Sequence, residues 1–243
     1  LFYQPQYTVD KELVGFEALF RWNHPRYKHI PVIEIIRLIE ELRLIEEVSA
    51  YVCLQAFEFA NEINQNRENP IVVSINISAL QIMNDNFVDN FKSLIKQANV
   101  NPNYIGIEIT ETVLMQNINE NIKKIRELKD LGITISLDDF GTGYSSLNYL
   151  INLPLSKVKI DRSFIKGMGK QDEFKSLVRL FIDIAHSLQL PVISEGVENE
   201  EELEILKQMD IDNIQGYYFS KPISKEYALL LINAVLDKNV VKI

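Results

Sequence analysis

Apolar positions in this chain follow two spacings, short runs at strand spacing and longer stretches that repeat every three or four residues. Phe2 to Thr8 and Val14 to Trp22 read as two short strands joined by the polar turn Asp10-Lys11-Glu12, which predicts a hairpin and hence an antiparallel first pair. From Pro31 the spacing is helical through Ile45, and a second helix is predicted from Glu47 to Asn66. Ile71 to Ile77 then reads as a buried strand, Phe87 to Ala98 as a helix and Ile105 to Ile109 as a strand. Asn117 with Glu120 predicts a capping box for a helix ending before Gly132, and the run Ile133-Thr134-Ile135-Ser136-Leu137 reads as a strand.

Val158 to Ile160 is the next strand, followed by a helix with Phe174, Leu177, Val178, Phe181, Ile184, Ala185 and Leu188 on one face. Pro191 to Ser194 is a strand, Asn199 with Glu202 a second capping box, Ile214 to Phe219 a last strand and Ser224 to Leu236 a closing helix. Eight strands, the later ones separated by helices, fit a closed α/β barrel of the (β/α)₈ type better than an open doubly wound sheet. The antiparallel first strand is its anomaly. The 243 residues suit one such domain, since about 250 residues is typical of a single barrel. No linker or low-complexity segment divides them, and Leu rather than Met at position 1 suggests a domain cut from a longer multidomain protein.

Composition narrows the chemistry. With 47% apolar and 24% charged residues the balance is globular, and no apolar run approaches the ~20 residues needed to span a bilayer, so a soluble domain without membrane insertion is expected. A net charge of −9 argues against long nucleic acids and anionic membranes. The single cysteine, Cys53, lies in an apolar helical stretch and points to a packed core thiol and a cytoplasmic setting. His24, His29 and His186 have no paired spacing, so a metal site must use mainly oxygen ligands, which favours Mg²⁺ or Mn²⁺ over zinc.

The run Asp138-Asp139-Phe140-Gly141-Thr142-Gly143-Tyr144-Ser145-Ser146 carries the sharpest signal. Two adjacent carboxylates at a strand end repel one another and need cations or donors, so a divalent metal site is one reading. A helix N-cap at Asp138 or Asp139 is the other. The glycines permit a tight turn, and the hydroxyls of Thr142, Ser145 and Ser146 suit loop ordering or an oxyanion. The residues at or near the ends of successive strands are Glu17, Asn76, Glu108, Asp138 with Asp139, Lys159, Glu195 and Gln215. Singly each has an ordinary explanation: Glu17 pairing with an arginine, Asn76 capping a helix, Lys159 lying on the surface. In a barrel these ends converge on one face, where active sites sit. Five carboxylates there cannot all ionise without cations, which suggests two divalent ions about 3.5–4 Å apart and phosphodiester hydrolysis.

These residues stand in motifs that resemble the EAL-domain cyclic di-GMP phosphodiesterases. Glu17-Ala18-Leu19-Phe20-Arg21 matches the triplet that names the family. Tyr3-Gln4-Pro5, Asn76-Ile77-Ser78, Glu108-Ile109-Thr110-Glu111, the run from Asp138, Lys159-Ile160-Asp161, Glu195-Gly196-Val197-Glu198, Gln215-Gly216-Tyr217 and Ser220-Lys221-Pro222 follow in family order. Ser194 in place of a usual alanine, Arg37 in place of a common proline and a short loop after Pro25 are the departures, and none touches an expected ligand.

The resemblance implies a TIM barrel with an antiparallel first strand and a metal set of Glu17, Asn76, Glu108, Asp138, Asp139 and Glu195, with Asp138 bridging. It implies that Lys159 orients the nucleophilic water, that Glu111 anchors the loop starting at Asp138, and that Gln4, Arg21 and Gln215 contact substrate. Glu195 is a further candidate general base. The expected cofactors are two Mg²⁺ or Mn²⁺, with Ca²⁺ inhibitory, and the expected reaction opens cyclic di-GMP to linear 5′-pGpG in bacterial signalling. A homodimer and an N-terminal sensory or cyclase domain are expected alongside. Two alternatives stand beside this: a catalytically silent cyclic di-GMP receptor or interaction module of the same fold, and an unrelated Mg²⁺ barrel enzyme that stabilises an enolate.

Overall fold

The computed structural model describes residues 1–65, 67–115, 117–142, 150–169 and 171–240. Strands β1 (Phe2–Thr8), β2 (Leu13–Leu19), β3 (Val72–Asn76), β4 (Ile105–Thr110), β5 (Thr134–Phe140), β6 (Lys157–Ile160), β7 (Val192–Glu195) and β8 (Asn213–Gln215) close in sequence order into one barrel. β1 pairs antiparallel with both β2 and β8, and every other pair is parallel. The hairpin turn that begins this arrangement uses Lys11 at φ 67.

Helices α1 (Val32–Glu41), α2 (Ile45–Ile63), α3 (Ala79–Met83), α4 (Phe87–Ala98), α5 (Glu111–Met115), α6 (Ile118–Asp130), α7 (Arg162–Met168), α8 (Asp172–Ser187), α9 (Glu200–Gln208) and α10 (Lys225–Val240) connect and follow the strands. Among the described residues no helix is long and apolar enough to cross a membrane. The strands' outward positions, including Val73, Ile75, Ile105, Ile107, Ile109, Ile135, Leu137, Val158 and Ile160, are buried in one core with helix residues such as Phe57, Phe91, Ile125, Val178 and Leu206. The alternate positions face inward, by the two-residue period of a strand. They are largely polar: Gln4 and Gln6 on β1, Glu17 on β2, Ser74 and Asn76 on β3, Glu108 on β4, Ser136 and Asp138 on β5, Lys157 and Lys159 on β6. The apolar core therefore lies between strands and helices, and the barrel's interior is a polar lumen. That is unlike the usual barrel, whose interior is filled mainly by Val, Ile and Leu.

Several sequence expectations are corrected. Asn117 stands at the start of α6 but in the left-handed region (φ 53) with no side-chain cap, because that conformation turns its amide away from the first amides of the helix. Asn199 does cap α9, accepting from the Glu202 amide at 2.9 Å, while Glu202 reaches back to the Glu198 amide at 2.7 Å. β2 ends at Leu19 rather than Trp22, and β8 ends at Gln215 rather than Phe219. A Cβ on Gly216 would lie 2.1 Å from the Val197 carbonyl oxygen, so the chain there packs against the turn after β7 instead of continuing as strand. In α8 the fully buried positions are Val178, Ile182 and Ala185, and Leu177 is 38% exposed. α2 begins at Ile45 and ends at Ile63, and Asn66 lies outside the described residues.

Candidate active site

Lys159 is the centre of the site. It projects from β6 into the lumen and is fully buried (0% exposed), which rules out the surface explanation of this lysine. Its ammonium lies 3.4 Å from Glu17 Oε2, 3.4 Å from Asp138 Oδ1 and 2.5 Å from Glu195 Oε1, and it also pairs with Glu108. These side chains come from β2, β5, β7 and β4 respectively, so parallel register has brought four strands' carboxylates to one cation.

Adjacent strands complete the set. Asn76 is level with Glu108 in the β3–β4 register and donates to Glu17 Oε1 at 2.8 Å, so it does not serve as a helix cap; Ser78 stands at the N-cap of α3, its amide donating to Gln81 Oε1 at 3.0 Å. Gln215, level with Glu195, donates to Glu17 Oε2 at 2.6 Å and to Gln4 Oε1 at 3.3 Å. Arg21 stands at the rim, its guanidinium 5.5 Å from the Phe2 ring centroid and 2.9 Å from the Phe20 carbonyl oxygen.

Asp138 and Asp139 lie inside β5, which excludes the helix N-cap for the described residues. The β5–β6 register breaks between Leu137 and Phe140. Asp139 takes φ 55, and Asp138 Oδ1 accepts from the Asp139 amide at 3.0 Å. A left-handed non-glycine residue costs about 1–2 kcal/mol. The break leaves Asp139 partly exposed beside Asp138, where regular alternation would have packed it among the helices. Thr142 orders the following turn through its amide and hydroxyl, both donating to the Asp139 carbonyl. Gly143, Tyr144, Ser145 and Ser146 lie outside the described residues. Glu111, at the start of α5, is 1% exposed, and neither of its carboxylate oxygens has a hydrogen-bond partner among the described residues.

The charges divide by environment. Burial alone would push Glu17 up, but the Lys159 charge and the hydrogen bonds from Gln215 and Asn76 hold it below the usual carboxylate range. For Glu108, burial outweighs Lys159 and pushes the carboxyl up to about 7. Burial likewise raises Glu195 well above the usual range, and burial with Asp138 beside it raises Asp139. Burial opposes the charge of Lys159, yet Asp138, Glu108, Glu17 and Glu195 together hold its pKa well above an ordinary lysine's. It is an ammonium at neutral pH.

Four carboxylates thus share the Lys159 ammonium with Asp139 beside them, and Glu108 Oε1 is buried without a partner. Among the described residues no three acidic, histidine or cysteine side chains are arranged to hold an ion as they stand, because the carboxylates are gathered on Lys159. The donor set is all oxygen and short of positive charge, which is the chemistry that hard divalent ions such as Mg²⁺ or Mn²⁺ satisfy. A cavity of about 700 Å³ lies elsewhere: Phe20, Trp22 and Tyr27 line it with α1 and α2, and none of these groups lines it.

A closed eight-stranded barrel with one antiparallel strand and an acidic cluster at its strand ends defines an α/β-barrel domain with a polar, cation-demanding site. Residues 1–222 match the family model of the EAL domain, and the chain belongs to that family. It is 36% identical over 228 residues to the oxygen sensor protein DosP of Escherichia coli (strain K12), covering 93% of this chain and 28% of that protein. It is 34% identical over 224 residues to the cyclic di-GMP phosphodiesterase NbdA of Pseudomonas aeruginosa, covering 92% of this chain and 29% of that one. The chain therefore spans less than a third of either relative's length. Among solved structures, the PaMucR phosphodiesterase in its c-di-GMP complex superposes with a TM-score of 0.89 at 31% identity, covering 94% of this chain and 93% of that one.

Sequence motifs had named every group around Lys159. They missed Gln6 and Lys157, which lie deeper in the lumen. The available signal was strand alternation: Gln6 is two positions from Gln4 on β1, and Lys157 two positions from Lys159 on β6.

Proposed function

We propose that this domain hydrolyses cyclic di-GMP to linear 5′-pGpG with two Mg²⁺ or Mn²⁺ ions held by Glu17, Asn76, Glu108, Asp138, Asp139 and Glu195. The observation that carries the proposal is the joint one: all six stand around or beside Lys159 at the barrel's strand ends, in a family whose named members include cyclic di-GMP phosphodiesterases. When bound, the ions supply the missing positive charge, acidify a water and stabilise charge on the phosphodiester.

The chain's own residues do the rest. Asn76 and Gln215 fix the two oxygens of Glu17 from opposite sides, so this carboxylate is ionised and oriented before anything binds. Lys159, kept protonated by its neighbours, cannot act as a base. Its Nζ–H groups instead orient an attacking water and offset charge on the phosphate. Glu195, at the exposed side of the cluster and raised by burial, is suited to hold or pass a proton. Arg21 at the rim supplies a guanidinium to a phosphate or base edge, and Gln4 supports the same end of the site.

Incubating the purified chain with cyclic di-GMP and Mg²⁺, then separating the nucleotides by chromatography, tests this directly. We expect stoichiometric pGpG. Binding without cleavage would replace the hydrolase with a receptor. The relatives' greater length supports a sensory or cyclase domain in the complete protein. The homodimer belongs to the same proposal and is checked by light scattering.

A further inference from the structure

The lumen holds a hydrogen-bond chain with a fixed direction. Lys157 Nζ donates to Gln6 Oε1 at 3.4 Å, and Gln6 Nε2 donates to Gln215 Oε1 at 2.8 Å. Gln215 Nε2 then donates to Glu17 Oε2 at 2.6 Å and to Gln4 Oε1 at 3.3 Å, and Gln4 Nε2 donates to the Ser220 carbonyl oxygen at 3.3 Å. An ammonium can only donate and a carbonyl can only accept, so neither end can be reversed. Three glutamine amides lie between them, each able in isolation to sit either way round.

From this geometry we infer that Lys157 and Gln6 are positioning residues for Glu17: they fix the sense of the Gln215 amide so that its N–H, and not its carbonyl, meets the carboxylate. Turned the other way, Gln215 would set Oε1 against Glu17 Oε2, acceptor facing acceptor, and remove the 2.6 Å hydrogen bond that holds the carboxylate. Gly15 makes room for the chain, since a Cβ there would lie 2.8 Å from Gln6 Oε1. Lys157 and Gln6 make no hydrogen bond to the carboxylates; the charge of Lys157 also acts on Glu108 and Glu17 through space, so the Gln215 amide signals, and not metal affinity alone, report the positioning effect. The consequence for catalysis rests on the ligand role proposed for Glu17, whereas the amide orientation does not.

The test uses the metal-free, ¹⁵N-labelled chain, with the Gln215 side-chain amide assigned by its loss in Gln215→Glu. In the wild type both Gln215 Nε2 protons should exchange slowly with solvent. Gln6→Glu keeps the shape but replaces the donor facing Gln215 with an acceptor, so the amide must turn; its signals should shift and lose protection. Lys157→Met, which removes the terminal donor without adding charge, should reduce protection, and Lys157→Arg should restore it. Mn²⁺ affinity, measured by calorimetry, should fall about 10–100-fold in Gln6→Glu, the range seen when a group supporting a metal ligand is removed. Unchanged Gln215 signals in both Gln6→Glu and Lys157→Met would overturn the inference. Absence of pGpG formation by the wild type would remove the proposed activity and leave the amide result standing.

Discussion

Glu17 receives three of the site's hydrogen bonds, with Asn76, Gln215 and Lys159 all directed at its two oxygens. Replacing it with alanine removes a carboxylate from a region that has too many, so the fold should tolerate the change while the site does not. We expect Glu17→Ala to lower turnover of cyclic di-GMP at least about 100-fold while the barrel stays folded, as circular dichroism would show. Near-normal turnover would sink its role as ligand. Cys53 makes the opposite kind of prediction. It is 1% exposed, and burial pushes its thiol up to about 12 from an ordinary 9.0. The folded thiol keeps its proton after the unfolded chain has lost it. Its contribution to stability is therefore complete below about pH 9 and declines as pH climbs toward 12, by up to about 1.4 kcal/mol per unit. Tyr3, raised by burial and then by Glu58, adds to the same alkaline loss. Denaturant unfolding at successive pH values should show this decline, and Cys53→Ala should make it shallower. Native protein should also be inert to thiol reagents at pH 8.

At the scale of elements, what was legible in the sequence depended on length and on which face was buried. Strands covered on their outer face gave apolar alternation, and α4 gave Phe87, Val88 and Phe91 at helical spacing. α3 and α5 have five residues each and α7 has seven, too few turns to show a period, and they were missed. The site's strand-end residues were legible because each sits in a motif. Gln6 and Lys157 were not, because a lone polar residue in a strand has the same local pattern whether it faces solvent or a lumen. Glu111 shows how a short helix matters. A buried carboxylate without a hydrogen bond destabilises by about 1–3 kcal/mol, and this one is kept at the first residue of α5, three positions past Glu108. We expect Glu111→Gln to fold at least as stably as the wild type and to lose turnover about tenfold or more, a loss comparable to removing a supporting group. Unchanged turnover and metal affinity would exclude an anchoring role for the loop from Asp138.

For the whole molecule, the net charge of −9 and the concentration of carboxylates around Lys159 lead us to expect that the divalent ions proposed for catalysis also stabilise the fold. An ion at 100 times its Kd stabilises by about 2.7 kcal/mol, which for a domain of this size is roughly 5–10 °C in melting temperature. Thermal unfolding with Mg²⁺ and then with excess chelator should show that rise and its reversal. Ca²⁺ should give a comparable rise and permit cyclic di-GMP binding, but no pGpG. Its bonds to oxygen are about 2.3–2.6 Å against 2.0–2.1 Å for Mg²⁺, and its looser shell polarises a water less. Rapid cleavage with Ca²⁺ as the only metal would contradict this account of how water is activated.

β1 holds both neighbours antiparallel, and its pairing with β8 comes down to Tyr7 with Ile214 and Thr8 with Asn213. The seam therefore joins the earliest strand to the latest, and the Gln6–Gln215 bond that crosses it links residues 209 positions apart. During synthesis on the ribosome the hairpin can form almost at once, but it waits with one edge unpaired until β8 emerges. Loop closure over such a span is slow, and exposed strand edges recruit other chains in the interim. A nascent chain halted before β8 would carry Glu17, Glu108 and Asp138 and yet leave Glu17 without Gln215. Binding competence should appear in one late step, together with resistance to protease, when the last three-residue strand closes the ring.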